Sequence, residues 1–244
     1  MVENVFVLMP AYNAGATIER VFERIPPAAR QRIRRYVAVN DGSKDDTADA
    51  LARLQREFPS LTVLTHQSNL GYGEAEKTLL RYAVQQGADV GILLHSDGQY
   101  SPEKILDLLD PFDRNAADIV QGSRLLSAGA LRGGMPLYKF FANKALTAIE
   151  NWAFGMSLAE YHSGYMLYSK KAMTAIPWEN LSNSFDFDLE MLVLARVKGL
   201  SIVEIAIPTI YAGEQSHLNP VKYGIDVLSV VWNYKRGKYH AMAK

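Results

Sequence analysis

Short apolar runs alternate with helix-patterned segments through the first half of this chain, and that alternation restricts the fold more than any other feature. Val5–Met9, Tyr36–Val39, Leu61–Leu64, Val90–Leu94 and Ile119–Gln121 read as strands. Between them the pattern predicts helices over Thr17–Arg24, Asp46–Glu57, Glu74–Gln86 and Pro102–Leu109. The first opens on a Thr17 cap and stops at Pro26-Pro27. In the second, Ala48, Leu51, Ala52 and Leu54 supply an apolar face, and Asp45 or Asp46 can cap the start. Strands and helices at this spacing build right-handed βαβ units on a mainly parallel sheet, which places the chain in the α/β class.

Beyond Gly122 the pattern predicts a loop over Leu125–Gly134, a long helix over Leu137–Phe154 and a strand over Gly164–Tyr168. A helix over Phe187–Val197 and a strand over Ile202–Ile207, stopped by Pro208, follow. No linker separates the halves, so a single domain is expected over residues 1–218, with an amphipathic helix and basic tail over 219–244. Lys plus Arg number 26 and Asp plus Glu 26, so no global field argues for nucleic acid. Cysteine is absent, which excludes a disulfide framework and thiolate metal sites. No apolar run approaches the ~18 residues of a membrane span, and Val2–Met9 is too short for a leader. The expectation is a soluble cytoplasmic protein, or one lying on the inner face of a membrane.

Two strand ends stop abruptly on polar residues, and ligands of open α/β sheets collect at the carboxyl ends of strands. After the first two strands come Pro10-Ala11-Tyr12-Asn13 and Asn40-Asp41-Gly42-Ser43, where a carboxylate can accept from a nucleobase N–H or ribose hydroxyls. A turn plus helix cap would look the same. Asn69-Leu70-Gly71-Tyr72-Gly73 leads into a helix and either offers backbone N–H groups to an anion or is a glycine-rich turn. In His95-Ser96-Asp97-Gly98-Gln99, Asp97 and the Gln99 oxygen can share a hard cation, Mg²⁺ or Mn²⁺. A nitrogen from His95 would favour Mn²⁺. Arg124, in Gly122-Ser123-Arg124, can neutralise phosphate or stay solvated.

Taken in order, these motifs resemble the family-2 glycosyltransferases, with Ser163-Gly164-Tyr165 extending the match. Within that family the chain looks most like the dolichyl- and polyprenyl-phosphate sugar transferases, over roughly residues 4 to 218. The resemblance implies the GT-A fold, a nucleotide-diphosphate sugar donor, a divalent metal and inversion at the anomeric carbon. It puts Pro10, Ala11, Tyr12, Asn13, Asp41, Gly71, Ser96, Asp97 and Ser216 on the donor, with Pro10, Tyr12 and Asp41 at base and ribose. It makes Asp97 and Gln99 metal ligands and turns Arg124 to phosphate charge. Glu190 matches a family carboxylate on the helix flanking the acceptor.

The implied acceptor is a polyprenyl phosphate or a glycan hydroxyl. A lipid phosphate oxygen is already anionic and needs no base; a hydroxyl would call on Glu190 or Asp188. The sequence departs from the family in three places. His95 stands at the usual first Asp of Asp-x-Asp, Ala14 replaces an acid, and Tyr211 falls where lipid-phosphate transferases carry an Arg, for which His217 or Lys222 can substitute. The first two departures define an alternative, a catalytically silent sugar-nucleotide-binding homologue with a regulatory or assembly role. Tyr223–Tyr234, apolar and aromatic with Lys235, Arg236 and Lys238 at its end, fits a membrane-interface helix, a helix of a homo-oligomer, or one packed on its own domain.

Overall fold

The computed structural model describes residues 1–126, 133–208 and 220–244, except for the side chains of Pro220 and Val221. Strands β1 (Val5–Ala11), β2 (Ile33–Asp41), β3 (Leu61–His66), β4 (Val90–Leu93), β5 (Ile119–Ser123), β6 (Met166–Ser169) and β7 (Ile202–Ala206) form one sheet. Its seven strands run in the order β3-β2-β1-β4-β6-β5-β7. All neighbours are parallel except β6, which lies antiparallel between β4 and β5. The parallel strands deliver Ala11, Asp41, Leu93 and Ser123 to one edge of the sheet, and the polar segments that follow them meet there.

The helices are α1 (Ile18–Glu23), α2 (Pro27–Arg32), α3 (Thr47–Glu57), α4 (Tyr72–Gln85), α5 (Ile105–Asp113), α6 (Leu137–Phe154), α7 (Lys170–Ala175), α8 (Phe187–Val197), α9 (Pro220–Lys235) and α10 (Lys238–Met242). Strand alternation divides the interior in two. Val5, Val7 and Met9 of β1 point into a core shared with Ile18, Phe22, Leu51 and Leu108 of α1, α3 and α5. Phe6 and Leu8 point the other way, into a core filled by Leu79 and Leu80 of α4 and by α8. A strand apolar on both faces is what a sheet covered by helices on both sides demands. α8 itself is buried from Phe187 to Ala195, the mark of a helix enclosed all round.

Several local expectations are corrected. Thr17 does not cap α1; its hydroxyl donates back to the Ala14 carbonyl at 3.2 Å. Of Asp45 and Asp46, Asp46 holds the N-cap position of α3 without a side-chain cap bond, and the Asp45 carboxylate accepts from the Thr47 N–H at 3.1 Å. Pro26-Pro27 ends one helix but also starts another, because Pro27 occupies the first turn of α2, where its missing N–H costs nothing. α5 runs past Leu109 to Asp113 with Pro111 inside it. The expected loop over Leu125–Gly134 lies largely outside the described residues.

The tail beyond residue 219 belongs to the same fold. Val227, Val230 and Tyr239 are buried in the core that holds α8. Among the described residues no helix is long and apolar enough to cross a membrane.

Candidate active site

The loops after β1 and β2 are locked together before any ligand is considered. Asn13 adopts φ 51°, a left-handed turn that asparagine tolerates. Its side-chain oxygen accepts from the Lys44 N–H at 2.9 Å, and its own N–H donates to Ser43 Oγ at 3.0 Å. The Ser96 hydroxyl donates to the Pro10 carbonyl at 2.9 Å and so ties the β4 tip to the β1 tip. Ala11 and Ser96 are buried and Pro10 is half-buried, while Tyr12 is 37% exposed at the rim.

Asp41 is 3% exposed and its carboxylate is well occupied. One oxygen meets His66 Nδ1 at 2.7 Å and accepts from the Leu70 N–H at 2.9 Å; the other accepts from the Gly71 N–H at 3.1 Å. The His66 ring is held in turn by Thr78 Oγ1 at 3.0 Å. Asp41 therefore builds the glycine-rich loop. Of the two readings of this loop, its hydrogen bonds favour the glycine-rich turn, since Gly71 gives its N–H to Asp41 and Gly73 donates to the Asn183 carbonyl at 3.0 Å. A Cβ at Gly73 would fall 2.4 Å from the Ser182 carbonyl oxygen, so the glycines let the loop preceding α8 approach.

The β4 tip carries the densest chemistry. Asp97 and Gln99 are half-buried, and Asp97 Oδ1 accepts from the Gln99 N–H at 2.9 Å. His95 lies edge-on to Tyr72 and Tyr100, with ring centroids 5.4 and 4.9 Å apart. A Cβ at Gly164 would fall 2.6 Å from His95 Cε1, so only glycine leaves room for the ring. Tyr72 donates its single hydroxyl proton to Asp188 Oδ2 at 2.7 Å. Its 2.9 Å contact with His95 Nε2 therefore draws the proton from the ring. Burial holds the His95 pKa below its ordinary value, against the pull of Asp97. With that proton on Nε2, the neutral ring carries its lone pair on Nδ1.

Behind Tyr72 sits a residue that the motif reading missed. Glu76, one turn further along α4, is fully buried against the Tyr72 hydroxyl and the Asp188 carboxyl. It lies 3.9 Å from His95 Nε2 and close enough to Asp188 for the two carboxyls to act as a pair. Burial first, and the Asp188 charge second, push the Glu76 pKa well above the carboxylate range; burial also raises Asp188. The signal was available: Glu76 falls in the Ala75, Leu79, Leu80, Ala83 stripe that faces the core.

A folded-state pKa above the unfolded one means that native Glu76 keeps a proton the unfolded chain has released. Its stabilising contribution is whole below the ordinary carboxylate pKa and is lost as pH rises through the raised value. Glu76→Gln is accordingly expected to flatten the alkaline side of the stability profile and to gain roughly 1–3 kcal/mol at pH 8. Urea midpoints from pH 4 to 9 check this; equal slopes in both proteins would mean Glu76 ionises without penalty.

Arg124 follows β5 and is drawn to a buried acid. Its backbone N–H donates to Glu160 Oε2 at 2.8 Å, Nε donates to Oε1 at 2.9 Å, and the guanidinium also pairs closely with Oε1. The same guanidinium donates to the His162 carbonyl at 2.7 Å. Burial sets the main shifts at the β4 tip, lowering His95 and raising Tyr100 to about 12, and the Arg124 charge acts downward on both, so its field reaches that tip. His162 continues the polar wall, with Nδ1 2.9 Å from Tyr223 Oη and Nε2 3.2 Å from buried Glu150. None of Glu160, His162, Glu150 and Tyr223 belongs to a motif, because their partners are distant in sequence.

The two acids of α8 face apart, as residues two positions apart on a helix do. Asp188 turns to Tyr72 and, at 3.4 Å, to Tyr168. Glu190 turns away: it accepts from the Ser182 N–H at 2.6 Å and from the Tyr239 hydroxyl at 2.7 Å, which fastens α10 to α8. Both Glu190 oxygens are thus engaged within the fold, one by the Ser182 N–H and one by Tyr239. Ser216, with Tyr211 and His217, lies outside the described residues.

Among the described residues no three His, Cys, Asp or Glu side chains converge as a complete metal cage. His95, Asp97 and Gln99 follow one another directly after β4, with Asp97 and Gln99 half-buried.

A family model described as glycosyl transferase family 2 matches residues 6–176. The chain is 27% identical over 219 residues to the UDP-N-acetylglucosamine–dolichyl-phosphate N-acetylglucosaminyltransferase of Methanococcus voltae, covering 85% of this chain and 86% of that one. It is 26% identical over 204 residues to the undecaprenyl-phosphate mannosyltransferase of Micrococcus luteus, covering 83% and 82%. The fold is shared with glucosyl-3-phosphoglycerate synthase of Mycobacterium tuberculosis, a structure in complex with Mn²⁺, UDP-glucose and phosphoglyceric acid. There the TM-score is 0.67 at 20% identity, over 94% of this chain and 78% of that one.

Proposed function

The chain belongs to glycosyl transferase family 2, and from that premise we propose that it transfers a sugar, with inversion, from a nucleotide-diphosphate sugar to a lipid-linked phosphate at a membrane face. The observation that carries the acceptor is the state of the two α8 acids. Glu190 is committed to Ser182 and Tyr239, and Asp188 is enclosed by Tyr72 and Tyr168. A hydroxyl acceptor would need a free base; a phosphate oxygen arrives ionised and needs none. The two lipid-phosphate transferases at 26 and 27% identity support the same choice.

On this reading the tethered tips of β1 and β2 seat the base and ribose, with Tyr12 as their exposed edge. Asp41 acts by shaping the loop over Leu70 and Gly71. Asp97 and Gln99, with His95 through Nδ1, would hold a divalent ion. When bound, such an ion supplies positive charge where the departing diphosphate gathers negative charge. Arg124 adds a fixed cation at the neighbouring strand end, already oriented by Glu160 and therefore needing no reorganisation.

Calorimetric titration with UDP, GDP, CDP and dTDP, each with Mn²⁺ and with EDTA, tests the donor side. Binding of UDP is expected, at least about tenfold weaker without metal. Turnover of the matching nucleotide sugar with a short polyprenyl phosphate then tests the acceptor. Metal-independent binding, or tight binding with no turnover, would favour the silent homologue. Equal activity with Mg²⁺ and Mn²⁺ would remove His95 from the ligand set.

A further inference from the structure

The outer faces of α6 and α9, which pack against one another, carry large apolar side chains in the open. On α6 Tyr138, Phe141, Ile149 and Trp152 recur at helical spacing and are 69, 66, 40 and 75% exposed. On α9 Ile225, Leu228 and Trp232 do the same at 63, 50 and 63%. The opposite faces are ordinary core: Thr147, Ala153 and Phe154 of α6, Val227 and Val230 of α9. Isolated apolar residues on a surface mean little, but a two-helix patch containing two exposed tryptophans marks a binding face.

Charge identifies the occupant. The whole chain is neutral, yet the only acids in Leu137–Phe154 and Pro220–Lys244 are Glu150, which is buried, and Asp226, which is half-buried. Against them stand Lys139, Lys144, Lys235, Arg236 and Lys238. Lys235 Nζ sits 4.6 Å from the Trp152 ring and the Arg236 guanidinium 5.9 Å from Trp232, so cations flank the two tryptophans. A second copy of this chain would bring an equally basic face against this one. An apolar stripe bordered by cations and indoles instead matches the headgroup boundary of an anionic bilayer.

We propose that the α6–α9 face docks on an anionic lipid surface, with Phe141, Trp152 and Trp232 entering the headgroup region and Lys235 and Arg236 pairing with lipid charge. The surface is continuous with the site: Tyr223 of α9 meets His162, whose carbonyl receives Arg124. Docking would thus bring the Arg124 end of the crevice to the membrane. The inference deepens the lipid-phosphate reading and rests on it for its purpose, but not for its geometry.

The test uses the full chain with phosphatidylcholine vesicles, with and without phosphatidylserine, and no polyprenyl phosphate. Sedimentation should show binding that needs the anionic lipid, with a blue shift of tryptophan emission. Trp178, 6% exposed, is the internal constant among the three tryptophans. Trp152→Ala with Trp232→Ala should weaken binding at least about tenfold, and Lys235→Ala with Arg236→Ala about thirtyfold. Each variant should still turn over a water-soluble, short-chain polyprenyl phosphate at the parent rate. Wild-type chain left in the supernatant at low salt, or unchanged binding by the tryptophan variant, would overturn the proposal. So would a dimer in sedimentation velocity that these substitutions dissociate, which would assign the face to a second copy. Failure of the acceptor reading is separate: it would show as no turnover of the soluble lipid phosphate while vesicle binding persists.

Discussion

Asp97→Ala is expected to lower kcat/KM by roughly 10²- to 10³-fold and to abolish metal-dependent nucleotide binding, while leaving the fold almost untouched. The size follows from the role. Charge stabilisation aimed at a developing anion is among the largest single terms an active site supplies, and on the proposed reading the ion would lose the one carboxylate among His95, Asp97 and Gln99. The small structural cost follows from the geometry. Asp97 is half-buried and accepts one hydrogen bond from the Gln99 N–H, an interaction worth about 1 kcal/mol. Asp97→Asn keeps an acceptor for that N–H and removes only the charge, so it should match the alanine variant in kinetics and the parent in melting temperature. Steady-state rates, calorimetry with UDP and Mn²⁺, and Mn²⁺ paramagnetic resonance provide the three readouts. An Asp97→Ala protein that binds UDP as tightly with Mn²⁺ as the parent would end the assignment.

Much of the frame behind that site was legible in the residues. Val5–Met9, Val90–Leu94 and the polar segments after them determine a parallel sheet and one ligand-facing edge, because strand period and turn chemistry are local properties. What escaped was what depends on contact across the fold. β6 was placed as a strand, but its antiparallel insertion between β4 and β5 was not, since a run as short as Met166-Leu167-Tyr168 pairs equally well in either sense. The internal partners of Asp41 were likewise hidden, because a carboxylate at a strand end shows no sign in sequence of His66, 25 residues later, or of the Leu70 and Gly71 N–H groups that meet it. Glu190 and Asp188 stand in one short motif and looked interchangeable. Helix geometry separates them, and the partner that fixes Glu190, Tyr239, is 49 positions away. Glu76 could have been found from periodicity alone, as a carboxyl in an apolar stripe.

Arg124 is where structure and chemistry make the largest competing claims on one residue, and a pair of substitutions separates them. Glu160 is fully buried and receives both the guanidinium and the backbone N–H of Arg124. Arg124→Met would strand a buried charge, and such a loss costs roughly 3–5 kcal/mol, or on the order of 10 °C in melting temperature for a chain of this size. Adding Glu160→Gln removes the stranded charge while an amide oxygen still accepts from the Arg124 backbone N–H, so the double variant should recover most of the loss. If Arg124 also stabilises departing diphosphate, the recovered fold will not bring back the rate. The double variant should then melt near the parent yet stay at least about a hundredfold slower, with KM for the acceptor less affected than kcat. Recovery of both stability and rate would make Arg124 a structural partner of Glu160 alone. A single Arg124→Met variant that melts within a degree or two of the parent would show the opposite, that the buried pair contributes little to stability.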